Sequence, residues 1–144
     1  MTESPLRGFD RSLPMALLRS RESLMRQFRP MLADHGLTEQ QWRVIRALAG
    51  SELPMDVGEI ADATFLLGPS LSRILSNLNE RSLIIRQVDK DDQRRFSVTL
   101  SRSGHRLFER IAPMSEQIYG EIEERFGVGR LDELLTLLNE LEKS

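Results

Sequence analysis

The sequence predicts a mainly α-helical fold with one small β-hairpin, and three observations carry that prediction. Apolar residues recur at helical spacing through most of the 144 residues. Residues 95–100 instead alternate large and small side chains, and they follow an apolar stretch at 84–88. Capping and turn residues separate these segments. The expected order is four helices, a hairpin and two further helices, in a single domain spanning residues 1–144.

The first predicted helix covers residues 13–34 and ends near Gly36, a residue type that commonly follows a helix. Its apolar stripe consists of Leu13, Leu17, Leu24, Phe28 and Met31. The second helix starts at Thr38, which forms a capping box with Gln41. Leu37 and Trp42 flank this cap at the positions of a hydrophobic staple. Both helices are therefore specified by local signals.

Two shorter helices follow, joined by a tight linker. Asp56 and Glu59 begin the first of them, and Gly68-Pro69 begins the second, which runs through residues 69–81. The side of this helix expected to be buried carries Leu71, Ile74, Leu75 and Leu78. A pair of helices with such a linker is a helix-turn-helix candidate.

The hairpin and two terminal helices complete the chain. Residues 89–94 form the turn between strands 84–88 and 95–100, and Ser101 caps a helix that runs to about Phe126. Pro113 is expected to kink or divide that helix. Residues 127–129 then separate it from a last helix at 130–143, whose apolar stripe is Leu131, Leu134, Leu135, Leu138 and Leu141.

Composition argues against an enzyme. The chain has no cysteine, and its two histidines, His35 and His105, lie far apart in sequence. No nucleophile motif or metal-ligand spacing is present, so no catalytic residue, cofactor or metal is expected. The N-terminal residues contain no long apolar run, and no segment reaches the length of a membrane span. We therefore expect a cytoplasmic protein.

The charge distribution favours DNA as a partner although the net charge is −2. Residues 68–102 carry seven basic and four acidic side chains, whereas residues 115–144 carry three basic and eight acidic ones. Ser70, Ser72 and Arg73 occupy the first turns of the second short helix, where a recognition helix contacts the major groove. In the following hairpin, Arg94 is placed to insert into an adjacent minor groove. Asp92 is placed to hold the shape of the loop.

Residues 56–101 resemble the winged helix-turn-helix of the MarR family of bacterial transcription regulators. The resemblance rests on the wing pattern Asp92-Gln93-Arg94 closing on Leu100-Ser101, and on the helix PSLSRILSNLNERSLIIR. The residues expected to bind DNA are Ser70, Ser72, Arg73, Asn77, Gln93, Arg94 and Arg95. The chain departs from the family pattern at three positions: Gln93 replaces an arginine, Ser82 a glycine and Ser101 a threonine.

Residues 17–48 are more specifically similar to regulators of homoprotocatechuate degradation operons. The resemblance implies a homodimer built from residues 8–36 and 102–144, with residues 38–101 as the DNA-binding lobe. It also implies a pseudo-palindromic operator, repression as the default, and a 4-hydroxyphenylacetate-type effector. We expect Arg21, or alternatively Arg46, to meet the effector carboxylate, and Met25, Trp42 and Phe65 to surround its ring. The rival interpretation is a winged-helix module that binds another protein.

Overall fold

The computed structural model describes residues 6–144, so the first five residues of the predicted domain lie outside this description. Within the described range a short 3₁₀ turn, Phe9–Arg11, precedes the first α-helix. The α-helices are α1 (Leu13–Asp34), α2 (Glu39–Ala49), α3 (Val57–Thr64), α4 (Gly68–Glu80), α5 (Arg102–Phe126) and α6 (Val128–Glu142). The strands are β1 (Met55–Asp56), β2 (Ile84–Val88) and β3 (Phe96–Leu100). The predicted fold class, mainly helical with a small β-wing, is confirmed.

The predicted helix starts are confirmed through their caps. Thr38 and Gln41 form the capping box of α2, with the Gln41 backbone N–H 3.1 Å from the threonine hydroxyl. Asp56 and Glu59 form the equivalent box for α3, and the Ser101 hydroxyl accepts from the Gly104 N–H at the start of α5. These contacts join residues three apart in sequence, which explains why the sequence alone predicts them.

Three boundaries differ from expectation. Pro113 lies inside α5, which continues as one helix of 25 residues and is not divided. The last helix begins at Val128, two residues earlier than predicted, because the chain reverses at Gly127 (φ +103°). Strand β3 begins one residue later than predicted, because the backbone of Arg95 closes the turn by accepting from the Asp89 N–H at 2.9 Å.

The sheet has the order β1-β3-β2, and both pairings are antiparallel. The hairpin register places Ile84 opposite Leu100 and Val88 opposite Phe96. Strand β1, which the sequence analysis did not predict, pairs Met55 with Val98. At two residues it is too short to show the period-two alternation that identifies a strand.

The hydrophobic core lies around α2 and the recognition-helix candidate α4. Ile45, Ile60 and Leu71 are fully buried, and Leu75 and Leu78 are buried beside them. The core continues into α1 through Leu32 and into α5 through Ile111. Helix α2 packs against both long helices and also against α3 and α4, so the position of the helix-turn-helix depends on the long helices through α2.

A second apolar surface is uncovered in the single chain. No residue of α6 is buried, and Leu134, Leu135, Leu137 and Leu141 are all exposed. The start of α1 exposes further leucines, including Leu13 and Leu18. An apolar surface of this extent on a globular chain usually marks an interaction site.

Candidate DNA-binding surface and effector cavity

Helix α4 presents its polar residues to solvent as a recognition helix requires. Its opposite side is anchored in the core by Leu71 and Leu75, and this leaves Ser70, Ser72 and Arg73 exposed. The N-cap, Leu67, makes no side-chain hydrogen bond to the first turn. Backbone N–H groups at such a start are suited to a phosphate oxygen. The structure thus brings three of the predicted DNA contacts to one end of one exposed helix.

Asn77 has a different environment from these three residues. It is half-buried, and its Oδ1 accepts a hydrogen bond of 2.9 Å from the Gln41 side chain of α2. The structure therefore gives Asn77 a packing role between α4 and α2. Helical spacing could not reveal this contact, because its partner lies 36 positions earlier in the chain.

The wing is held in shape by its own aspartates. Asp89 Oδ1 accepts from the Asp91 N–H at 2.8 Å, and Asp92 Oδ1 accepts from the Arg94 N–H at 3.0 Å. Asp92 Oδ1 also lies 3.3 Å from the Arg94 Nε, while the Arg94 side chain is 93% exposed. Asp92 therefore shapes the loop, as the sequence predicts, and its partner is Arg94. Two of the aspartates thus accept hydrogen bonds from the loop backbone, and the Arg94 guanidinium still extends into solvent.

Gln93 and Arg95 lie beside Arg94 at the exposed tip. The Arg95 backbone N–H donates to the Asp92 carbonyl at 3.0 Å, which completes the turn. The wing therefore gathers its three predicted DNA-binding side chains on one short loop. Their contacts with DNA stay a prediction.

The base of the wing is fixed to α5 by a compact set of hydrogen bonds. The hydroxyls of Ser101 and Ser103 both donate to the Ser82 carbonyl, at 2.6 Å and 2.9 Å. The Ser101 N–H donates to the Leu83 carbonyl at 3.0 Å. Gly104 packs so closely that a Cβ there would lie 2.1 Å from the Leu83 oxygen. The position of the wing is thus set by the first turn of α5.

A cavity of about 110 Å³ lies where α1, α2 and α5 meet. Its lining residues are Met25, Phe28, Glu39, Trp42, Arg43, Arg46, Ser115 and Tyr119. Phe28 and Tyr119 make a tilted ring contact with centroids 5.0 Å apart, and Trp42 stacks on Phe108 at 5.6 Å. The walls are therefore aromatic, as in many small-molecule sites, and Phe108 supports Trp42 from outside the cavity.

The charged groups in and beside the cavity are three arginines and one glutamate. Arg21 of α1 and Arg43 of α2 both bond to the same Glu39 oxygen, Oε1, the latter at 2.5 Å. Arg46 bonds only to the Tyr119 hydroxyl, at 3.4 Å, and forms no ion pair within residues 6–144. Two arginines thus share the Glu39 carboxylate, and Arg46, which has no carboxylate partner among the described residues, retains the guanidinium best able to take an incoming anion.

The structure brings together most, but not all, of the predicted effector residues. Met25, Trp42 and Arg46 line the cavity. Arg21 does not line the cavity, but it bonds to Glu39, which does. Phe65 is not brought to the cavity: it follows α3 with φ +58°, and its side chain is 82% exposed. The aromatic character of Phe65 suits a ring wall, but it does not indicate where the side chain points.

Sequence reasoning missed several lining residues. Phe28 had been assigned only to the apolar stripe of α1, and Tyr119 lies 73 positions after Arg46. Glu39 and Arg43 are four residues apart on an amphipathic helix, and in the sequence they resemble an ordinary surface ion pair. The signal that was available is the spacing of Glu39, Trp42 and Arg46, which places all three on one face of α2.

A separate ion-pair group lies on α1. Arg29 contacts both carboxylate oxygens of Glu22, at 2.5 Å and 2.9 Å. The hydrogen bond from Arg29 holds the pKa of Glu22 below its usual value, and the same bond raises the pKa of Arg29. This pairing fixes the orientation of Arg29 along the helix surface.

Two negative findings limit the chemistry of the described residues. Between positions 6 and 144, no three His, Asp or Glu side chains are grouped so as to hold a metal ion. None of the helices in that same range is long and apolar enough to cross a membrane.

Comparison with known proteins identifies the family. Residues 35–95 match the model of the MarR family. The homoprotocatechuate degradative operon repressor of Escherichia coli is 39% identical over 129 residues, which are 90% of this chain and 86% of that protein. The structure of transcriptional regulator PA4135 is 42% identical, with a TM-score of 0.86, over 92% of this chain and 96% of the other.

A second solved structure, NadR in complex with 4-hydroxyphenylacetate, is 37% identical with a TM-score of 0.81. The match covers 96% of this chain and 97% of that one. These relatives are transcriptional regulators, and nothing in them supports the rival interpretation of a winged-helix module that binds only protein. The chain belongs to the MarR family and is a DNA-binding transcriptional regulator rather than an enzyme.

Proposed function

We propose that the protein represses an aromatic-acid catabolic operon and leaves a pseudo-palindromic operator when a hydroxyphenylacetate-type effector binds. The observation that carries the proposal is the position of the cavity. Trp42 and Arg46 reach it from α2, in the predicted DNA-binding lobe, while Met25 and Tyr119 reach it from α1 and α5. A ligand there contacts both parts of the chain, so it changes how the lobe sits on the long helices.

The cavity suits one aromatic ring. An engineered cavity of roughly 150 Å³ accommodates benzene, and this one measures about 110 Å³ before any adjustment to a ligand. Trp42, Phe28 and Tyr119 supply flat apolar walls. A single-ring effector therefore fits after a small opening of the helices, and a fused multi-ring compound does not.

The polar groups suit an acid at one end of the ring and a hydroxyl at the other. Glu39 and Arg46 are two helical turns apart on α2, about 10 Å along its axis, with Trp42 between them. Arg46 offers a guanidinium for the carboxylate, and the Tyr119 hydroxyl lies beside it. Both arginines on Glu39 use Oε1, which leaves Oε2 to accept from a ligand hydroxyl. 4-Hydroxyphenylacetate has this arrangement of groups. NadR, a relative of this protein, has been crystallised with that compound.

The proposed assembly is a homodimer through residues 8–36 and 102–144. Support comes from the uncovered leucines of α6 and the start of α1, which a second copy would bury. A two-fold dimer presents two α4 helices to successive major grooves, which is why the operator should be pseudo-palindromic. We place the protein in the cytoplasm, where it has access to DNA.

The proposal is tested by footprinting on the DNA upstream of its own gene, with and without 4-hydroxyphenylacetate. We expect protection of two half-sites about one helical turn apart, and loss of protection when the compound is added. Phenylacetate, which lacks the hydroxyl, serves as the matched control ligand and should act more weakly. Protection that is indifferent to both compounds would refute the effector assignment while leaving DNA binding intact.

The two candidate arginines are separated by titrating 4-hydroxyphenylacetate against Trp42 fluorescence. Arg46→Met should weaken binding by 10-fold or more, since a charge-assisted bond contributes about 1.5–3 kcal/mol. Arg21→Met should weaken it less, because Arg21 acts through Glu39. Arg110→Met, an exposed position on α5, is the control and should bind as wild type. A larger loss in Arg21→Met than in Arg46→Met would reverse the assignment.

A further inference from the structure

We propose that Arg43 is a positioning residue that couples occupation of the cavity to the turn preceding the recognition helix. The inference rests on the proposed function, because it concerns how the same cavity acts on DNA binding. Arg43 lines the cavity, and its guanidinium bonds at both ends. One nitrogen donates to Glu39 Oε1 at 2.5 Å, and the other donates to the Thr64 carbonyl at 2.8 Å.

The Glu39 end of this contact responds to a ligand. The Glu39 side chain is 9% exposed, and its Oε1 is shared between Arg43 and Arg21. A ligand hydroxyl that donates to Glu39 draws negative charge from its carboxylate and so weakens the bonds from Glu39 to the two guanidinium groups. Because one nitrogen of Arg43 is bound to the Glu39 carboxylate, this change alters the position or orientation of the planar Arg43 guanidinium.

The Thr64 end transmits that change to DNA-binding elements. Thr64 is the last residue of α3, is 1% exposed, and bonds through its hydroxyl to the Ile60 carbonyl at 2.6 Å. Only residues 65–67 separate it from Gly68, the first residue of α4. Phe65 already holds a left-handed backbone with φ +58°. A linker this short and constrained moves the start of α4 when Thr64 moves.

A second polar bridge decides which half of α4 moves. Gln41 holds Asn77, in the C-terminal half of α4, against α2. Because the Gln41–Asn77 hydrogen bond holds the C-terminal half, release of the Arg43 contact with Thr64 displaces the N-terminal half. This half carries Ser70, Ser72 and Arg73, so a small rotation is sufficient to remove them from the major groove.

The test uses Arg43→Lys, which keeps a cation in the cavity. A single ammonium lacks the planar fork that bonds Glu39 and Thr64 together. Arg26→Lys is the matched control, because Arg26 is an exposed arginine of α1 whose contact with Glu22 is 3.9 Å long. For each protein we would measure 4-hydroxyphenylacetate affinity with and without the footprinted operator. The ratio of the two affinities is the coupling factor, and it equals the effect of ligand on operator affinity.

Wild type and Arg26→Lys should show a coupling factor in the usual range of about 5–150-fold. Arg43→Lys should bind 4-hydroxyphenylacetate and, without ligand, the operator, but with a coupling factor at least 5-fold smaller. Hydrogen exchange gives an independent readout at the Phe65 N–H, which bonds to the Ala61 carbonyl. Ligand should change its protection in wild type and not in Arg43→Lys.

Two results would overturn the inference while wild type still responds to ligand. One is an unchanged coupling factor in Arg43→Lys. The other is complete loss of 4-hydroxyphenylacetate binding by that variant, since Arg43 would then be a ligand contact. If the operator affinity of wild type is the same with and without 4-hydroxyphenylacetate, the proposed function is refuted, and the inference with it.

Discussion

Substitution of Gly104 by alanine should strongly destabilise the protein and displace the wing. Gly104 is the third residue of α5, and its added Cβ would lie 2.1 Å from the Leu83 oxygen and 3.2 Å from the Leu83 carbonyl carbon. Non-bonded heavy atoms approach optimally at about 3.5–4.0 Å. Helix α5 and the backbone of Leu83, just before β2, must therefore separate by more than 1 Å. Neither contact can be relieved by rotating a side chain.

The cost follows from what that separation disrupts. The carbonyls of Ser82 and Leu83 accept three hydrogen bonds from Ser101 and Ser103, each contributing about 1 kcal/mol. Over-packing adds about 1–3 kcal/mol, and the better helix propensity of alanine returns about 1 kcal/mol. If half of the hydrogen-bond energy is lost, the net destabilisation is about 1.5–3.5 kcal/mol.

The assay is urea unfolding at one protomer concentration, followed by circular dichroism, because the stability of an oligomer depends on concentration. Gly120→Ala is the control in the same helix, where an added Cβ meets nothing within 4 Å. It should stabilise by up to about 1 kcal/mol. A Gly104→Ala protein within about 0.5 kcal/mol of wild type would refute this account of the wing base.

Four further predictions concern single residues. Ser82→Gly should stabilise the fold by about 1 kcal/mol in urea unfolding, because Ser82 holds φ +58°; a loss of stability would show that the serine side chain is needed. Arg94→Ala should weaken operator binding by about 5-fold or more and leave the dimer unchanged in gel filtration; equal binding would remove the wing from the interface. Gln93→Arg should tighten binding to any DNA and steepen its salt dependence by about one unit; tightening on the operator alone would contradict this. Pairing with Arg29 lowers the pKa of Glu22. The pair therefore stabilises the fold above the unfolded pKa of roughly 4, and this stabilisation is lost as pH falls through the lower folded pKa. Glu22→Gln should accordingly lose less stability than wild type between pH 6 and 3.

The geometry of the candidate DNA-binding surface was largely predictable because its signals are local. The recognition helix shows its buried leucines at helical spacing, so Ser70, Ser72 and Arg73 had to face away from the core. The wing turn is shaped by Asp89 and Asp92 acting on backbone groups two residues away. Asn77 shows the limit of this reasoning, because its partner Gln41 belongs to another helix.

The lining of the proposed effector cavity was only partly predictable. The sequence indicated Met25, Trp42 and Arg46 from their chemistry and positions on two amphipathic helices. It did not indicate Tyr119, because nothing local relates α5 to α2. The sequence favoured Arg21 for the effector carboxylate, with Arg46 as the alternative. Only the structure pairs Arg21 with Glu39 and leaves Arg46 without a carboxylate among residues 6–144.

The sequence by itself determined the helices, their caps, the hairpin and the uneven distribution of charge. Each depends on interactions between residues a few positions apart, or on composition. Tertiary structure alone decided which side chains share the cavity, how Arg43 links Glu39 to Thr64, and where strand β1 pairs. The physical reason is that these contacts depend on how separate elements pack, and packing directions are not encoded in the period or the caps of any one element.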